Sequence, residues 1–131
     1  LFSMIDYFTP NETEASFYVN HNVETHEDAE KAAIQLLDKG IKNVVITLGE
    51  KGAFFANNEE KFSLPVANLS NPVVDTTGAG DAFNAGFAAA LTEGQNIKDA
   101  LKFASATAGL STTKIGTANS MPSREEIEKL F

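Results

Sequence analysis

An acidic residue directly follows a glycine-rich turn in the segment VVDTTGAGDAFNAGFAAAL, which spans Val73–Leu91. Glycine lacks a Cβ atom, so the backbone at Gly78 and Gly80 can take a positive φ angle and approach a ligand closely. A helix is predicted to start at about Asp81, and the first N–H groups of a helix have no partner within it. Together with the helix dipole, the N–H groups of Ala79, Gly80 and Asp81 would bind an anion such as a phosphate.

Two interpretations of Asp81 follow from this position. An acid in the first turn stabilises a helix through the dipole, and a short Gly-X-Gly-Asp spacing is common, so a structural role alone explains it. Alternatively, the carboxylate is a general base that takes a proton from a substrate hydroxyl while that oxygen attacks phosphorus. Because an acid beside a bound anion disfavours a second anion, this interpretation predicts a neutral alcohol as the acceptor.

Polar residues follow two of the predicted strands. In TPNETEA, Asn11 and Glu14 come after a strand, and ligands of open α/β sheets bind beyond the carboxyl ends of strands. N-capping of a helix by Asn11 is the structural alternative. In VVITLGEKGAFF, Thr47, Gly49 and Gly52 end a buried strand, and an ordinary turn into a hairpin is the alternative there. Both Lys51 in this turn and the histidines His21 and His26 are predicted to lie at the surface.

The elements that must position these residues alternate between strands and helices, which predicts an α/β fold. Thr25 with Asp28, and Ser123 with Glu126, have the spacing of capping boxes. The helix after Thr25 carries an apolar face of Ala29, Ala32, Ala33, Leu36 and Leu37 and ends at Gly40. The predicted elements are a strand at 4–9, a loop turning into a short helix at NETEASF, a helix from Thr25, a strand at 44–48, a hairpin around NNEE, helices at 81–92 and 97–113, a loop KIGTANSMP and a helix from Ser123 to Phe131.

Composition restricts the classes of partner. The 131 residues include 18 acids and 10 bases, a net charge of -8, which argues against nucleic acid and anionic membranes as partners. Cysteine is absent, so the chain has no disulfide framework or thiolate metal site, and we expect a cytoplasmic location. No apolar stretch approaches the length that spans a bilayer. The 43% hydrophobic content is sufficient for a folded core.

The longest motif, DTTGAGDAFNAG, closely resembles the C-terminal signature of the ribokinase-like (PfkB) family of carbohydrate kinases. The resemblance implies a ribokinase-like, Rossmann-like three-layer α/β sandwich. It also implies that Asp81 is the catalytic base, and that the backbone of Gly78, Ala79 and Gly80 forms the anion hole.

The same resemblance extends to the other polar segments. NETEA matches the family motif in which Asn11 and Glu14 would hold Mg²⁺ through water and contact phosphates. The T-L-G-x-x-G segment implies that Thr47, Gly49 and Gly52 contact the phosphates and ribose of ATP. Adenine is expected between FASATAG and the loop near Gly116, with Ser105 where relatives often have Asn or His.

A monovalent cation is implied by two further segments, DTT and STTKIGTANS. K⁺ prefers many oxygen ligands, including carbonyls, and would fix the loop that shapes the anion hole. Hydrogen bonding of turns by Asp75 and Ser120 is the structural alternative, and not every family member uses the ion. The implied ligands are the Asp75 side chain, the carbonyls of Thr77, Ser111, Lys114 and Gly116, and the Ser120 hydroxyl.

The resemblance covers residues 5–131 but only the C-terminal half of the family pattern. Residues 1–131 are therefore expected to form the ATP-binding and catalytic part, without the N-terminal half that carries the sugar pocket and lid. We expect this chain alone to be inactive, and an exposed apolar edge predicts that two copies pair.

The function predicted from the sequence is ATP-dependent phosphorylation of a sugar hydroxyl, with ribose or fructose as the first candidates. A nucleoside or a keto-sugar acid is an alternative acceptor. A non-catalytic nucleotide-binding module and a purely structural α/β domain are alternatives from other classes.

Overall fold

The β-branched run that the sequence predicts as a buried strand lies inside a mixed sheet. The computed structural model describes residues 6–66 and 78–112, and the chain divides into two compact units, 1–65 and 66–131. In chain order, the first unit contains β1 (Tyr7–Phe8), α1 (Glu12–Val19), α2 (His26–Asp38), β2 (Asn43–Thr47), a 3₁₀ turn (Gly49–Lys51), β3 (Ala53–Asn57) and β4 (Lys61–Leu64).

The four strands lie in the order β1-β2-β3-β4. β2 pairs in parallel with β1, where Phe8 is opposite Val44, and antiparallel with β3, where Val45 is opposite Phe55. The prediction that β2 is buried on both faces is confirmed, since Val44, Val45 and Ile46 are fully buried. The predicted hairpin is also confirmed, since β3 and β4 pair antiparallel, and it places an antiparallel neighbour beside β2.

α1 and α2 supply the helical part of the first core. Thr25 caps α2 by accepting a hydrogen bond from the Asp28 N–H, and the Asp28 carboxylate accepts one from the Thr25 N–H, so the predicted capping box is confirmed. The apolar face of α2 packs with β2 and β3 in one hydrophobic cluster. Its members include Ala29, Ala32, Ala33, Leu36, Val44, Ile46 and Phe54, with Leu37 partly buried against them.

The second unit is a helical hairpin within its described residues. α3 (Ala79–Thr92) and α4 (Ile97–Ser111) are joined through residues 93–96. Such a short connection makes the helices antiparallel neighbours. Their backbones come close at Gly86, where a Cβ atom would lie 2.7 Å from the Thr107 hydroxyl oxygen.

The helix bounds differ slightly from the predicted ones. α3 begins at Ala79 rather than at Asp81, because Gly78 takes the left-handed conformation that lets the next residue enter the helix. α4 ends at Ser111, with Thr112 as its C-cap. The KIGTANSMP loop and the helix predicted from Ser123 lie outside the described residues. In residues 6–66 and 78–112, no helix has the length and apolar character needed to cross a membrane.

Candidate phosphate-binding and catalytic site

The start of α3 has the geometry of an anion site. Gly78 is the N-cap, with φ 78° and ψ 5°, and the first hydrogen bond of the helix joins the Ala82 N–H to the Gly78 carbonyl at 2.9 Å. The N–H groups of Ala79, Gly80 and Asp81 therefore have no partner within the helix. α3 is 14 residues long, so its dipole also favours negative charge at this end.

Asp81 is exposed in the first turn of α3, beside these N–H groups. Its position is compatible with both interpretations that the sequence allows, because a first-turn acid and a general base would occupy the same place. The helix start thus combines N–H groups of the type that bind anions with an adjacent carboxylate of the type that accepts protons.

The positive φ that the sequence allows at both glycines is taken up by Gly78 and not by Gly80. Gly80 is the second residue of α3 and has an ordinary helical backbone. A Cβ atom on Gly80 would meet no atom of the described residues within 4 Å. The position that a side chain of residue 80 would take is therefore open space among the described residues.

Ser111 and Ser105 lie on α4 at different distances from this site. Because α3 and α4 are antiparallel, Ser111 at the end of α4 lies at the same end of the hairpin as the start of α3. Ser111 is buried, its hydroxyl donates to the Ala108 carbonyl at 2.7 Å, and its own carbonyl belongs to the last helical turn. Half-buried Ser105 is set back along α4 by about 9 Å, from the helical rise per residue.

The other residues implied for the cation and adenine sites lie outside the described residues. They are Asp75, Thr77, Lys114, Gly116 and Ser120.

In the first unit, Asn11 and Glu14 form a capping box at the start of α1. The Asn11 side-chain oxygen accepts from the Glu14 N–H at 2.8 Å, and the Glu14 carboxylate accepts from the Asn11 N–H at 3.1 Å. The structural alternative is thus realised in the geometry. Both residues are exposed, so they also fit the few, partly water-mediated contacts by which proteins usually hold Mg²⁺.

The glycine turn after β2 comes next to the start of α1. Thr47 forms a parallel β-bridge with Asn11, and its N–H donates to the Pro10 carbonyl at 3.0 Å. Gly49 is exposed, and a Cβ atom on it would lie 3.9 Å from a carboxylate oxygen of Glu12. The fold therefore brings together two segments that the sequence separates by helix α2.

Gly52 has a structural reason to be glycine that the sequence does not reveal. Its φ is 90° and its ψ is -134°, and a Cβ atom would lie 1.9 Å from the Leu64 carbonyl oxygen. The close approach of β4 thus requires glycine here whether or not a ligand binds.

Sequence reasoning missed the environment of Lys51 and His26. The Lys51 ammonium donates to the Glu24 carbonyl at 2.7 Å, and the His26 Nε2 lies 2.7 Å from the Lys51 carbonyl oxygen. His21 and His26 are partly exposed, in agreement with their predicted place at the surface. The Nε2 of His21 and the Nδ1 of His26 are nevertheless buried with no hydrogen-bond partner among the described residues. These contacts join residues that are 25 and 27 positions apart, so no local sequence pattern could have predicted them.

Asp28 holds the segment that leads into α2. Its carboxylate accepts hydrogen bonds from the N–H groups of Glu24, at 3.1 Å, and Thr25, at 3.3 Å. These bonds, that of Glu24 above all, hold the pKa of Asp28 below its ordinary value of 3.8.

An open cleft of about 510 Å³ borders this segment and is lined by Glu12, Thr13, Ser16, Asn22, Val23, Glu24 and Lys51.

Comparison with known proteins identifies the family. The model of the pfkB family carbohydrate kinases matches residues 1–124. The chain belongs to this family. The match agrees with the sequence resemblance, and the mixed sheet with flanking helices is consistent with a ribokinase-like α/β fold.

Individual pfkB relatives are similar over nearly the whole chain. A ribokinase from Haemophilus influenzae is 43% identical over 126 residues, which is 96% of this chain and 40% of the relative. A deoxyribokinase from Salmonella typhimurium is 37% identical, covering 95% of this chain and 40% of the relative. The structure of Arabidopsis thaliana ribokinase complexed with ribose and ATP has a TM-score of 0.92 and 38% identity, covering 99% of this chain and 42% of that one. The chain thus spans about 40% of the length of these relatives.

Proposed function

We propose that the protein carrying this sequence is a kinase that transfers the γ-phosphoryl group of ATP to a hydroxyl of a small sugar, with ribose as the first candidate. The observation that carries the proposal is the start of α3, where exposed Asp81 adjoins the N–H groups of Ala79 and Gly80. The family match and the relatives that act on ribose or deoxyribose support a sugar as the acceptor. Fructose, a nucleoside and a keto-sugar acid are the other acceptors to be tested.

In the proposed reaction, the residues of α3 act on the transferring group and on the acceptor. The N–H groups of Ala79, Gly80 and Asp81 stabilise the charge that develops on the phosphoryl oxygens. The Asp81 carboxylate accepts the proton of the sugar hydroxyl as the new O–P bond forms and the bond to the ADP oxygen breaks. Such a reaction depends mainly on positioning and electrostatics, which a fixed helix start provides.

The other site residues are proposed to bind the nucleotide and ions. The exposed Asn11 and Glu14 would hold Mg²⁺ through water. When bound, the ion would neutralise phosphate charge. Thr47, Gly49 and Gly52 contact the phosphates and ribose of ATP, and Ser105 and Gly116 border the adenine. A K⁺ ion would be held by the oxygens that the family resemblance implies, those of Asp75, Thr77, Ser111, Lys114, Gly116 and Ser120.

The extent of the chain bears on activity. Because the chain spans about 40% of its relatives, we propose that residues 1–131 form an ATP-binding and catalytic part that does not phosphorylate sugars by itself. ATP as the donor points to a cytoplasmic location. Pairing of two copies stays a prediction that sedimentation of the purified chain tests.

Replacement of Asp81 by Asn in the full-length protein that carries this sequence tests the catalytic assignment. We expect kcat to fall by about 10²–10⁴-fold, the usual contribution of a general base, while ATP affinity stays within about threefold. Titration calorimetry gives the affinity, and a coupled ADP assay with ribose, 2-deoxyribose and fructose gives the rates.

Asp99→Asn is a matched control for Asp81→Asn. Asp99 occupies the same position in the first turn of α4 as Asp81 does in α3, so its replacement removes the same interaction with a helix dipole. It also changes the acceptor of a hydrogen bond that the Asn96 side chain donates at 3.1 Å, so any effect on helix stability should be at least as large as in Asp81→Asn. The control should retain full activity. Unchanged turnover in Asp81→Asn would exclude the general base, whereas equal losses in both variants would indicate a helix-stability effect. ATP binding without turnover in the unmodified protein would favour the non-catalytic nucleotide-binding alternative.

A further inference from the structure

Two hydrogen bonds connect Lys51, in the glycine turn after β2, to two residues at the start of α2. The Lys51 ammonium donates to the Glu24 carbonyl, and the His26 ring contacts the Lys51 carbonyl, each at 2.7 Å. A carbonyl oxygen only accepts, so the Nε2 of His26 must carry the proton and donate it. Lys51 is thus held by both its side chain and its main chain. We call these contacts of Glu24, His26 and Lys51 the Lys51 bracket.

The residues of the bracket at the start of α2 are themselves held in place. The Glu24 N–H donates to the Asp28 carboxylate at 3.1 Å, and the capping box of Thr25 and Asp28 closes the first turn of α2. One turn further on, Ala29 and Ala32 are completely buried in the first hydrophobic core. A close-packed core resists displacement, so the bracket anchors the turn to a rigid part of the unit.

The turn end of the bracket lies beside the candidate phosphate contacts. Within the turn, the Leu48 N–H donates to the Gly52 carbonyl at 2.7 Å, and the Lys51 N–H donates to the Leu48 carbonyl at 3.0 Å. Exposed Gly49 faces Glu12 at the start of α1, as described above. A shift of the turn at Lys51 would therefore move Gly49 relative to α1.

Holding this lysine in place has an energetic cost. A lysine side chain loses considerable rotamer freedom when it is fixed, and the Nδ1 of His26 is buried with no partner among the described residues. A binding site needs such supporting contacts to hold its residues in a fixed geometry.

We propose that His26 and Lys51 are positioning residues that hold the Gly49–Gly52 turn where it contacts the phosphates of ATP. The inference rests on the proposed function, in which this turn binds the nucleotide. It differs from a direct role of the Lys51 charge at the phosphates, because the ammonium is engaged by the Glu24 carbonyl.

The test uses the full-length protein that carries this sequence and steady-state kinetics with ATP and ribose. Lys51→Met and His26→Phe each remove one donor and keep the side-chain volume. We expect each to raise the KM for ATP by about three- to tenfold, as the loss of one positioning hydrogen bond would, with kcat and the KM for ribose within about twofold. The double variant should be less impaired than the product of the single effects, because both bonds hold the same turn.

Conservative variants and a charge control separate positioning from other effects. Lys51→Arg and His26→Gln keep a donor at each place and should recover most of the ATP affinity. Lys31→Met removes a lysine from the exposed side of α2, where the ammonium lies 3.9 Å from Glu27, and should behave like the unmodified protein.

Three results would overturn the inference while leaving the proposed function intact. The first is an unchanged KM for ATP in both single variants. The second is an equal rise of the KM for ATP in Lys31→Met. The third is a fall in kcat and a rise in the KM for ribose as large as the rise in the KM for ATP, which would indicate general damage. A failure of the proposed function is distinct, because the unmodified protein would then show no ATP-dependent phosphorylation of any sugar.

Discussion

Replacement of Gly80 by Ala should make the protein more stable and less active. Gly80 has a helical backbone in the first turn of α3, and a Cβ atom there would meet none of the described residues within 4 Å. Alanine costs less conformational entropy than glycine, so we expect the free energy of unfolding to rise by about 0.5 kcal/mol. The same methyl group would occupy the space beside the N–H groups of Ala79 and Asp81.

The expected loss of activity follows from blocking those donors. Removal of a single donor to a developing oxyanion costs about 10²–10³ in kcat, which corresponds to about 2.7–4 kcal/mol. A methyl group that holds the phosphoryl oxygens away from the helix start should have an effect of this size. Urea unfolding gives the stability, and kcat with ATP and a sugar gives the activity of the full-length protein.

Gly86→Ala is the matched control on the same helix. Its backbone is also helical, so it gains the same propensity, but its Cβ atom would lie 2.7 Å from the Thr107 hydroxyl oxygen and 3.2 Å from the Ala104 Cα. Overpacking of this kind costs about 1–3 kcal/mol, so stability should fall while the folded enzyme keeps its rate. A Gly80→Ala protein that is stable and fully active would refute the placement of the phosphoryl group at the start of α3.

Two further predictions concern stability. Gly52→Ala should destabilise the protein by about 2–5 kcal/mol, because of the positive φ and the contact with the Leu64 carbonyl. The control Gly94→Ala, with φ 84° and open space among the described residues, should cost only about 1 kcal/mol. Equal losses of stability in urea unfolding would show that the contact with Leu64 is unimportant. Asp28→Asn should lower the Tm at pH 7, because hydrogen bonds from Glu24 and Thr25 favour the ionised carboxylate in the folded state. A carboxylate whose pKa is lowered on folding stabilises the folded state above its unfolded pKa, and this stabilisation is lost as the pH falls through its folded pKa. The Tm difference between Asp28→Asn and the unmodified protein should therefore narrow below about pH 4. A Tm difference that does not depend on pH would contradict this cause.

Local spacing made much of the first unit predictable. The capping box of Thr25 and Asp28, the hairpin around NNEE and the helix after Gly78 all depend on residues close in sequence. The helix after the glycine turn was predicted to start at about Asp81 and starts at Ala79. The left-handed residue at Gly78 alone is enough to start α3, so Gly80 is free to be helical.

The dual character of Asn11 and Glu14 illustrates a limit of motif reasoning. Their spacing fits a capping box and a metal-binding motif equally, and the structure realises the capping box. Because the box uses one oxygen of each side chain on the backbone, it fixes both groups at the surface near Thr47. The same residues can thus shape the helix start and be held in place for a ligand.

By itself, the sequence determined the family, the order of the elements and the glycine-and-acid motif at the start of α3, because these depend on residue types at short spacing. Only the tertiary structure decided why Gly52 must be glycine, which atom holds the Lys51 ammonium and how near α4 comes to Gly86. Each of these depends on segments distant along the chain, whose approach is set by packing of the core and by strand pairing. No local pattern records that approach.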